Sequence, residues 1–213
     1  MTLRELITIA FDLNFDSEQQ VVGGPSWIKT ERFDVIAKED QTLSKRLRSL
    51  PPSEEGDANR QMIRALLTER FGLKVHHELR TLTTYTLETA KGGSKLSPGK
   101  LDPHLPSEIP QNRVNVLSAG SLAAHNTDMA LFVKVLSSQQ EIDGRTVVNG
   151  TGLKGSYDFA LKWTPAAMAD IQSSEALPSL FSALQEQLGL KLSSRKRPVD
   201  VLLIDVVDKP SAN

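Results

Sequence analysis

Two adjacent histidines, His76 and His77, are the residues of this sequence whose type and spacing most readily suggest chemistry. Imidazole rings bind metals and transfer protons near neutral pH. Both histidines lie in the stretch FGLKVHHEL, which predicts a β-strand. Neighbouring side chains of a strand point to opposite faces, so one metal ion cannot easily bind both rings. A surface metal site formed by His76 and Glu78 is one alternative, and a hydrogen-bonded or exposed structural role is the interpretation we favour.

Two aspartates occur in matching contexts, because Asp34 follows Phe33 and Asp158 follows Tyr157. A pair of carboxylates in one cleft can act as general acid and general base. A carboxylate that fixes a turn or the end of a strand is the commoner use of such a residue, and we favour it for both positions. Finding both aspartates beside His76 in the folded chain would favour catalysis instead.

Several catalytic and binding classes lack the residues that they require. The sequence contains no cysteine, which excludes thiol catalysis and cysteine-based zinc sites. It has no G-x-S-x-G or G-x-G-x-x-G segment, and GGSKLSPGK (92–100) lacks the spacing of a phosphate-binding loop. With 25 basic and 26 acidic residues the net charge is −1, which gives no electrostatic reason to expect nucleic acid as a partner. We therefore predict no catalytic, metal-binding or cofactor-binding residue, and no cofactor.

The two tryptophans, Trp27 and Trp163, flank predicted strands. Core packing is favoured over stacking on a ligand, because an indole ring buries a large apolar area. The densest basic run, RKR at 195–197, is short, and we interpret it as a solvated strand end. No stretch approaches the roughly 18 apolar residues of a membrane span.

The first half of the chain must position these residues with two helices and three strands. A helix follows Thr2, a predicted N-cap that forms a capping box with Glu5. GGP (23–25) predicts a turn, and RFDVIAK (32–38) predicts a strand. Residues 51–57 predict an exposed loop. Residues 59–70 predict a helix that ends at Gly72. LKVHHEL and TYTLETA predict two strands joined by a turn near Arg80.

The second half repeats this order after a stretch rich in glycine and proline at 92–111, which predicts a linker or surface loop. RVNVLSAG predicts a weak strand, and a helix follows that begins at Thr127 or Asp128. YDFALKW predicts the next strand. A second helix ends at Gly189, and LKLSSR and VDVLLIDVV predict the last two strands.

The two halves match in sequence over most of their length. FGLKV (71–75) matches LGLKL (188–192), 117 positions later, and Leu87 matches Ile204. VV.G (21–24) matches VV.G (147–150), and Phe33-Asp34 matches Tyr157-Asp158. The order of these matches predicts an internal duplication. The alternative is that any two α/β units share the succession of helix, glycine and strand.

We therefore predict an α+β fold made of a duplicated unit, each with two helices packed on one face of a mainly antiparallel sheet. The first repeat is predicted at 1–91, the linker at 92–111 and the second repeat at 112–213. The first repeat lacks the leading strand that RVNVLSAG provides in the second. We expect either a missing segment before Met1 or an open sheet edge there.

Long segments of the chain resemble an uncharacterised family that is abundant in acidobacteria, domain of unknown function 3738. The resemblance spans essentially the whole sequence and rests on GGPSW, ERFDV, RFGLKVHHE, TGLKGSYDF and LQEQLGLKL. It implies no known reaction. It does imply export, because family members usually begin with an export signal and a strand, and some follow a membrane metallopeptidase of the antibiotic-sensor type. The helix, the GL turn and the paired strands are also similar to the short N-terminal domain of secretins and TonB-dependent receptors, which binds partners.

These observations favour a non-catalytic binding or protein-interaction module. By resemblance we expect it to be periplasmic or secreted and to sense or dock a protein or a small ligand of the cell envelope. An open strand edge beside Met1 would favour a protein partner, and an apolar cleft would favour a small ligand. The alternative function is a hydrolase or an envelope-processing accessory enzyme with an unfamiliar site.

Overall fold

The structure is a computed structural model, and it describes residues 1–13, 19–36, 52–106, 109–168 and 177–210. The fold is mixed α+β with strands in two sheets, which confirms the predicted class. Backbone contacts divide the chain into two compact units. Unit 1 comprises Met1–Arg80 and Pro198–Asn213, and unit 2 comprises Thr81–Arg197.

In chain order the described helices and strands are α1 (Leu3–Ala10), β1 (Val21–Gly23), α2 (Trp27–Thr30), α3 (Pro52–Phe71), β2 (Lys74–Thr89), β3 (Ser97–Pro98), β4 (Arg113–Ser118), β5 (Ser121–Asp128), α4 (Met129–Ser137), β6 (Val147–Asn149), β7 (Ser156–Lys162), α5 (Leu180–Leu188) and β8 (Leu190–Val206). Short 3-10 helices cover Gln140–Ile142 and Ala166–Met168. The first residues of β2 and the last residues of β8 belong to unit 1, and the remainder of both strands belongs to unit 2.

Unit 1 contains helices α1, α2 and α3 and a sheet in the order β1-β8-β2. Strand β1 runs parallel to β8, with Val21 opposite Leu202 and Gly23 opposite Ile204. The core of the unit joins the apolar stripe of α1 to α3 and to both of these strands. Its fully or nearly buried members are Leu3, Leu6, Ile7, Ala10, Val21, Ile28, Leu67, Phe71, Leu73, Leu202 and Ile204.

Unit 2 contains helices α4 and α5, a sheet in the order β8-β2-β6 and a second sheet in the order β3-β7-β5-β4. Strand β6 runs parallel to β2, with Val147 opposite Tyr85. The second sheet is antiparallel throughout. Its apolar side chains pack on both helices, and the core includes Leu87, Leu122, Met129, Phe132, Leu136, Leu161, Trp163, Leu180, Leu184 and Leu190.

The predicted helix caps are confirmed. The Glu5 N–H donates to Thr2 Oγ1 at 3.2 Å and the Thr2 N–H donates to Glu5 Oε2 at 2.8 Å, which completes the capping box of α1. Asp128 caps α4 by accepting from the Leu131 N–H at 2.8 Å. Gly189 ends α5 in a left-handed conformation with φ of 64°. Local hydrogen bonding therefore fixes these helix ends in the way that the sequence predicts.

Two predicted pairs of strands are each one continuous strand, so both of those predictions are wrong. The turn near Arg80 does not form, because β2 runs without interruption from Lys74 to Thr89. β8 likewise continues through Pro198, although proline removes one ladder donor. Each strand is held along its length by a neighbouring strand, and this pairing outweighs the local signals for a turn or a break. The parallel pairs of β1 with β8 and of β2 with β6 also depart from a mainly antiparallel sheet.

Two further predictions in unit 1 are wrong. The predicted loop at 51–57 is helical from Pro52 onward. Proline is tolerated in the first turn of a helix. Glu54 and Glu55 also lie in this turn, where acidic side chains are favoured. The predicted strand at 32–38 is reduced to a bridge between Thr2 and Arg32, and residues 33–36 are in no strand. Positions 37, 38 and 51 lie outside the described residues, as do 107 and 108 of the predicted linker. Ser97–Pro98, also in that stretch, form β3.

Candidate functional site

The two adjacent histidines each bind a carboxylate on the last strand of unit 1. His76 Nδ1 lies 2.8 Å from Asp205 Oδ1, and His77 Nδ1 lies 2.9 Å from Asp200 Oδ2. About half of each imidazole side chain is exposed to solvent. The rings therefore have separate acidic partners, each of which satisfies one ring nitrogen.

The metal-site alternative at His76 and Glu78 lacks a third ligand in the described part of the chain, where no group of three or more His, Asp or Glu side chains could hold a metal ion. Glu78 is instead bound to Arg80, whose Nε and Nη2 each donate to its carboxylate at 3.1 Å. This bidentate hydrogen bond lowers the pKa of the Glu78 carboxyl below its ordinary value. Glu78 thus serves as a partner of a guanidinium group.

Unit 2 has a polar pair at the positions that match His76 and Asp205. These positions, 117 residues away in sequence, are Ser193 and Glu88, and the Ser193 hydroxyl donates to Glu88 Oε2 at 3.0 Å. Arg195 Nη2 donates to Glu88 Oε1 at 2.6 Å, and Lys191 Nζ lies 3.4 Å from Oε2. The Ser193 hydrogen bond and the two cations lower the pKa of the Glu88 carboxyl. The same cross-strand position therefore holds a polar pair of different chemistry in each unit, which favours a structural role for His76.

Asp158, in unit 2, organises the strands on both sides of β7. Its Oδ1 accepts from the Asn126 N–H at 2.6 Å, where β5 has a bulge opposite it. Its Oδ2 accepts from the Lys100 N–H at 3.1 Å, just after β3. The carboxylate thus fixes backbone geometry, in the manner expected of a turn-fixing aspartate.

Asp34, the matching residue of unit 1, is exposed and lies in a chain segment that is only partly paired. Phe33 forms two backbone hydrogen bonds with Met1, at 2.8 Å and 3.0 Å. Beyond it, no backbone or side-chain hydrogen bond joins residues 34–36 to any other described residue. Val35 and Ile36 are 39% and 84% exposed. Residues 34–36 are therefore unpaired among the described residues.

A cavity of about 480 Å³ lies beside this segment, within unit 1. One wall is residues 33–36, and the opposite wall is the last part of α3, from Leu66 to Phe71. Phe33 closes one side by an edge-to-face contact with Phe71, at 5.3 Å between ring centroids. Its lining is mixed, because the apolar side chains of Leu66 and Phe71 lie beside the charged residues Asp34, Glu69 and Arg70. A cavity of this size and composition suits a small amphipathic ligand or a few side chains of a peptide.

The tryptophans occupy different environments. Trp163 is 2% exposed in the core of unit 2, and its indole N–H donates to Glu141 at 2.8 Å. Core packing is therefore its role. Trp27 is half-buried in unit 1, where it contacts the Phe33 ring edge to face and carries Lys209 Nζ over its own ring. It supports the segment that forms one wall of the cavity.

The structure does not assemble the catalytic arrangement considered from the sequence. His76 is bound to Asp205, and Asp158 is bound to two backbone amides, so neither contacts the other predicted member. Asp34 and Asp158 belong to different units. We did not predict Asp200 and Asp205 as partners of the histidines, because they depend on the pairing of β2 with β8. We did not predict Leu66 as a cavity residue, because the cavity depends on the approach of α3 to residues 33–36. Neither long-range feature has a local sequence signal.

The fold is α+β, and among the described residues the segment 34–36 is unpaired beside a cavity with a mixed polar and apolar lining. The chain belongs to the family of proteins of unknown function designated DUF3738, whose family model matches residues 4–207. This confirms the family resemblance. No curated protein and no solved structure matches the chain. Among the described helices none is long and apolar enough to cross a membrane.

Proposed function

We propose that this protein is a non-catalytic binding module whose ligand occupies the cavity of unit 1 beside residues 33–36. The observation that carries the proposal is the difference between matching positions of the two units. In unit 2, β7 is flanked by β5 and β3, whereas in unit 1 the matching segment is unpaired beyond Phe33 among the described residues. A chain segment that exposes Val35 and Ile36 next to a cavity is a surface suited to a ligand.

The wall formed by α3 supports this interpretation. In unit 2, Gln187 of α5 holds the backbone of β7 by two hydrogen bonds with Lys162, at 2.7 Å and 3.0 Å. The matching residue of α3 is Arg70, which lines the cavity. The helix and the neighbouring segment are thus tied together in unit 2 and enclose a cavity in unit 1. Leu66 and Phe71 give that cavity an apolar surface, which would stabilise a bound hydrophobic group.

The alternative, a hydrolase or an envelope-processing accessory enzyme, has one favourable observation. His76 and His77 each form a pair with an aspartate, and such pairs also occur in catalytic sites. A reaction would further need a nucleophile or an activated water beside the ring, and neither pair borders the cavity. We therefore assign the function to binding.

We further propose that the two units descend from one duplicated unit, with repeats at 1–91 and 112–213 around the segment at 92–111. Unit 2 begins at residue 81, and unit 1 resumes at residue 198. These two boundaries are 117 residues apart, which is also the distance in sequence between the matched segments FGLKV and LGLKL. Thr2, the N-cap of α1, forms an antiparallel bridge with Arg32. In the same way Asp128, the N-cap of α4, pairs with Ser156. Both features support the duplication.

Two further parts of the proposal rest on resemblance. The acidobacterial family members and their export signals favour a periplasmic or secreted protein. The similarity to the short N-terminal domain of secretins and TonB-dependent receptors favours a module that docks partners in the cell envelope. Export of the natural protein can be tested by fractionating cells and detecting the protein with an antibody.

A ligand screen by thermal shift tests the binding function. The panel holds peptides, peptidoglycan fragments, sugars, nucleotides and divalent metals. A ligand at about one hundred times its Kd adds roughly 2.7 kcal/mol of stability, so a raised Tm is the expected result. The variant Leu66→Glu places a charge in the cavity and should abolish the shift. Leu79→Glu is the matched control, because Leu79 is 72% exposed elsewhere in unit 1.

A shift that persists in Leu66→Glu would place the ligand elsewhere and contradict the proposal. A shift produced by metals alone and lost in His76→Ala would assign the function to the histidine pair. Turnover of an ester, amide or glycoside panel that is lost in His76→Ala or His77→Ala would favour the hydrolase.

A further inference from the structure

We infer that the chain cleaves its own peptide bond between Asp102 and Pro103, in a single-turnover reaction in which the Asp102 carboxyl group is the nucleophile. Both residues lie in the segment at 92–111, between the two matching halves of the sequence. No other proline of the sequence follows an aspartate. This self-cleavage is independent of the proposed binding function, because other residues line the cavity of unit 1.

An Asp-Pro bond contains its own nucleophile and a good leaving group. Two carbon atoms separate the side-chain carboxyl carbon of an aspartate from its backbone carbonyl carbon, so attack by a carboxyl oxygen closes a five-membered ring. Reacting groups that belong to one residue have a high effective concentration. Proline forms a tertiary amide without an N–H, and its nitrogen takes up a proton readily as the bond breaks. The bond between Asp102 and Pro103 is therefore chemically the most labile type of peptide bond in this chain.

The structure places two hydrogen-bond donors on the carbonyl oxygen of this bond. The Asp102 carbonyl oxygen accepts from Gln111 Nε2 at 2.9 Å and from the Leu105 N–H at 3.2 Å. Attack on the carbonyl carbon puts negative charge on this oxygen, and donors already directed at it stabilise that charge. The two donors thus form an oxyanion-binding arrangement around the bond that is cut.

Further hydrogen bonds fix the reacting residue. Gln111 Oε1 accepts from the Asp102 N–H at 2.9 Å, so one side-chain amide holds both backbone polar groups of Asp102. The His104 N–H donates to Asp102 Oδ1 at 3.0 Å and orients the carboxyl group. The attacking oxygen is then Oδ2. Asp102 and Pro103 are both exposed, so water can reach the bond.

The reaction has two steps and consumes only water. In the first step Oδ2 of the Asp102 carboxylic acid bonds to the Asp102 carbonyl carbon, the bond from that carbon to the Pro103 nitrogen breaks, and the carboxyl proton passes to the nitrogen. The products are a cyclic anhydride at Asp102 and a free amino terminus at Pro103. In the second step one water molecule opens the anhydride, which leaves Asp102 with a C-terminal carboxyl group.

The two products are expected to stay together after the cut. Strand β2 belongs to the fragment 1–102 and β8 to the fragment 103–213, and the two strands are neighbours in one sheet. Between them the Ala90 N–H donates to the Gly189 carbonyl oxygen at 2.9 Å, and His76 binds Asp205. Cleavage therefore changes the covalent chain and leaves the fold in place.

Intact-mass spectrometry of the purified full-length chain during incubation tests the inference. We expect two fragments whose masses add up to that of the intact chain plus one water, with Pro103 as the first residue of the second fragment by N-terminal sequencing. The fragments should elute together in gel filtration until urea separates them. Cleavage should be about tenfold or more faster in the native chain than in urea, because unfolding removes both donors from the carbonyl oxygen. Asp102→Ala should abolish cleavage, because the nucleophile is lost.

A variant of Gln111 separates a role in the reaction from a role in holding the loop. Gln111→Glu keeps an acceptor for the Asp102 N–H but loses the donor to its carbonyl oxygen, and should slow cleavage about tenfold or more. Gln139→Ala is the matched control and should cleave like the wild type. It removes another side-chain amide of unit 2 that donates to a backbone carbonyl, that of Val135 at 2.8 Å.

Several outcomes would overturn the inference. The first is that the native chain yields no fragments on prolonged incubation. Equal rates in buffer and in urea would reduce the cut to the ordinary lability of an Asp-Pro bond. Fragments that disappear when protease inhibitors are added would assign the cut to a contaminating enzyme. Cleavage of Gln111→Glu at the rate of the wild type would mean that the donors at the carbonyl oxygen do not act in the reaction.

Discussion

Unit 1 and unit 2 contain matching sequence segments, but among the described residues only unit 2 has an antiparallel sheet around its segment. In unit 2, Tyr157 and Asp158 lie near the start of β7, which has a partner strand on each side. In unit 1, Phe33 and Asp34 are followed by exposed Val35 and Ile36. The local sequence is similar in the two places, so strand formation here depends on pairing with another strand and not on local propensity alone. The proposed ligand site uses positions in unit 1 whose counterparts in unit 2 are structural.

At the position of His76 the two units differ in sequence, but the arrangement of the side chains across the strands is the same. His76 binds Asp205 in unit 1, and Ser193 binds Glu88 at the matching positions of unit 2. A polar side chain at this position bonds an acid on the neighbouring strand in both units. A polar pair therefore occurs at this position in both units, and only unit 1 uses an imidazole.

The largest expected difference between the units concerns the glycines that end α3 and α5. A Cβ atom at Gly189 would overlap the carbonyl oxygen of Gly93, whereas the nearest atom to a Cβ at Gly72 is Asp208 Oδ2 at 3.3 Å. Both glycines have positive φ, which costs an alanine about 1–2 kcal/mol. We expect Gly72→Ala to lose about that much stability and Gly189→Ala to lose roughly 2–4 kcal/mol, because the overlap adds strain. Urea unfolding of both variants measures the two losses, and equal losses would contradict the comparison.

The two aspartates should differ next. Asp158→Ala removes the acceptor of two backbone amides and should lower the free energy of unfolding by about 1–3 kcal/mol. Asp34→Ala should change it by less than about 0.5 kcal/mol, because Asp34 is exposed and unbonded among the described residues. Thermal and urea unfolding of the two variants provide the measurement. A loss at Asp34 as large as that at Asp158 would mean that Asp34 is structural, and would weaken its assignment to ligand binding.

The smallest expected effect is a pH dependence at Glu88. Its pKa is lowered in the folded state, first by the Ser193 hydroxyl and then by Arg195 and Lys191. The folded chain therefore binds this proton less readily than the unfolded chain, whose glutamate pKa is about 4.3. The stabilisation is present above that value and is lost as the pH falls through the lower folded value. Wild type should melt above Glu88→Gln at neutral pH, and the gap should close on acidification.

Glu186→Gln is the control for this measurement, since it removes an exposed carboxylate of α5 in the same unit. A gap for Glu88→Gln that stays constant down to about pH 3 would contradict the assigned cause.

Much of the local structure could be predicted from the sequence. The caps Thr2 and Asp128 and the ending glycine Gly189 act through bonds within a few residues, so their signals are local. The class of fold and the family were also predictable, because the order of helix and strand patterns and the long segments that carry the resemblance are visible along the chain. The beginning of α3 was missed because Pro52 and the acidic residues after it suit a loop as well as a first turn.

The candidate site was less predictable. Asp34 and the open edge beside Met1 were considered from the sequence, but the cavity depends on how α3 approaches residues 33–36. The partners of His76 and His77 depend on the pairing of β2 with β8, which joins positions more than a hundred residues apart. Both features arise from long-range packing, and a single sequence carries no direct signal for it.

The sequence by itself determined the caps at which α1 and α4 begin, the glycine at which α5 ends, and that cysteine chemistry is excluded. Only the tertiary structure decided that β2 and β8 are continuous, because their backbone amides are satisfied by neighbouring strands whatever the local turn propensity. It also decided that one aspartate is structural and its counterpart is exposed. A carboxylate takes its role from the donors around it, and those donors reach Asp158 from β5 and from the residues that follow β3, two distant parts of the chain.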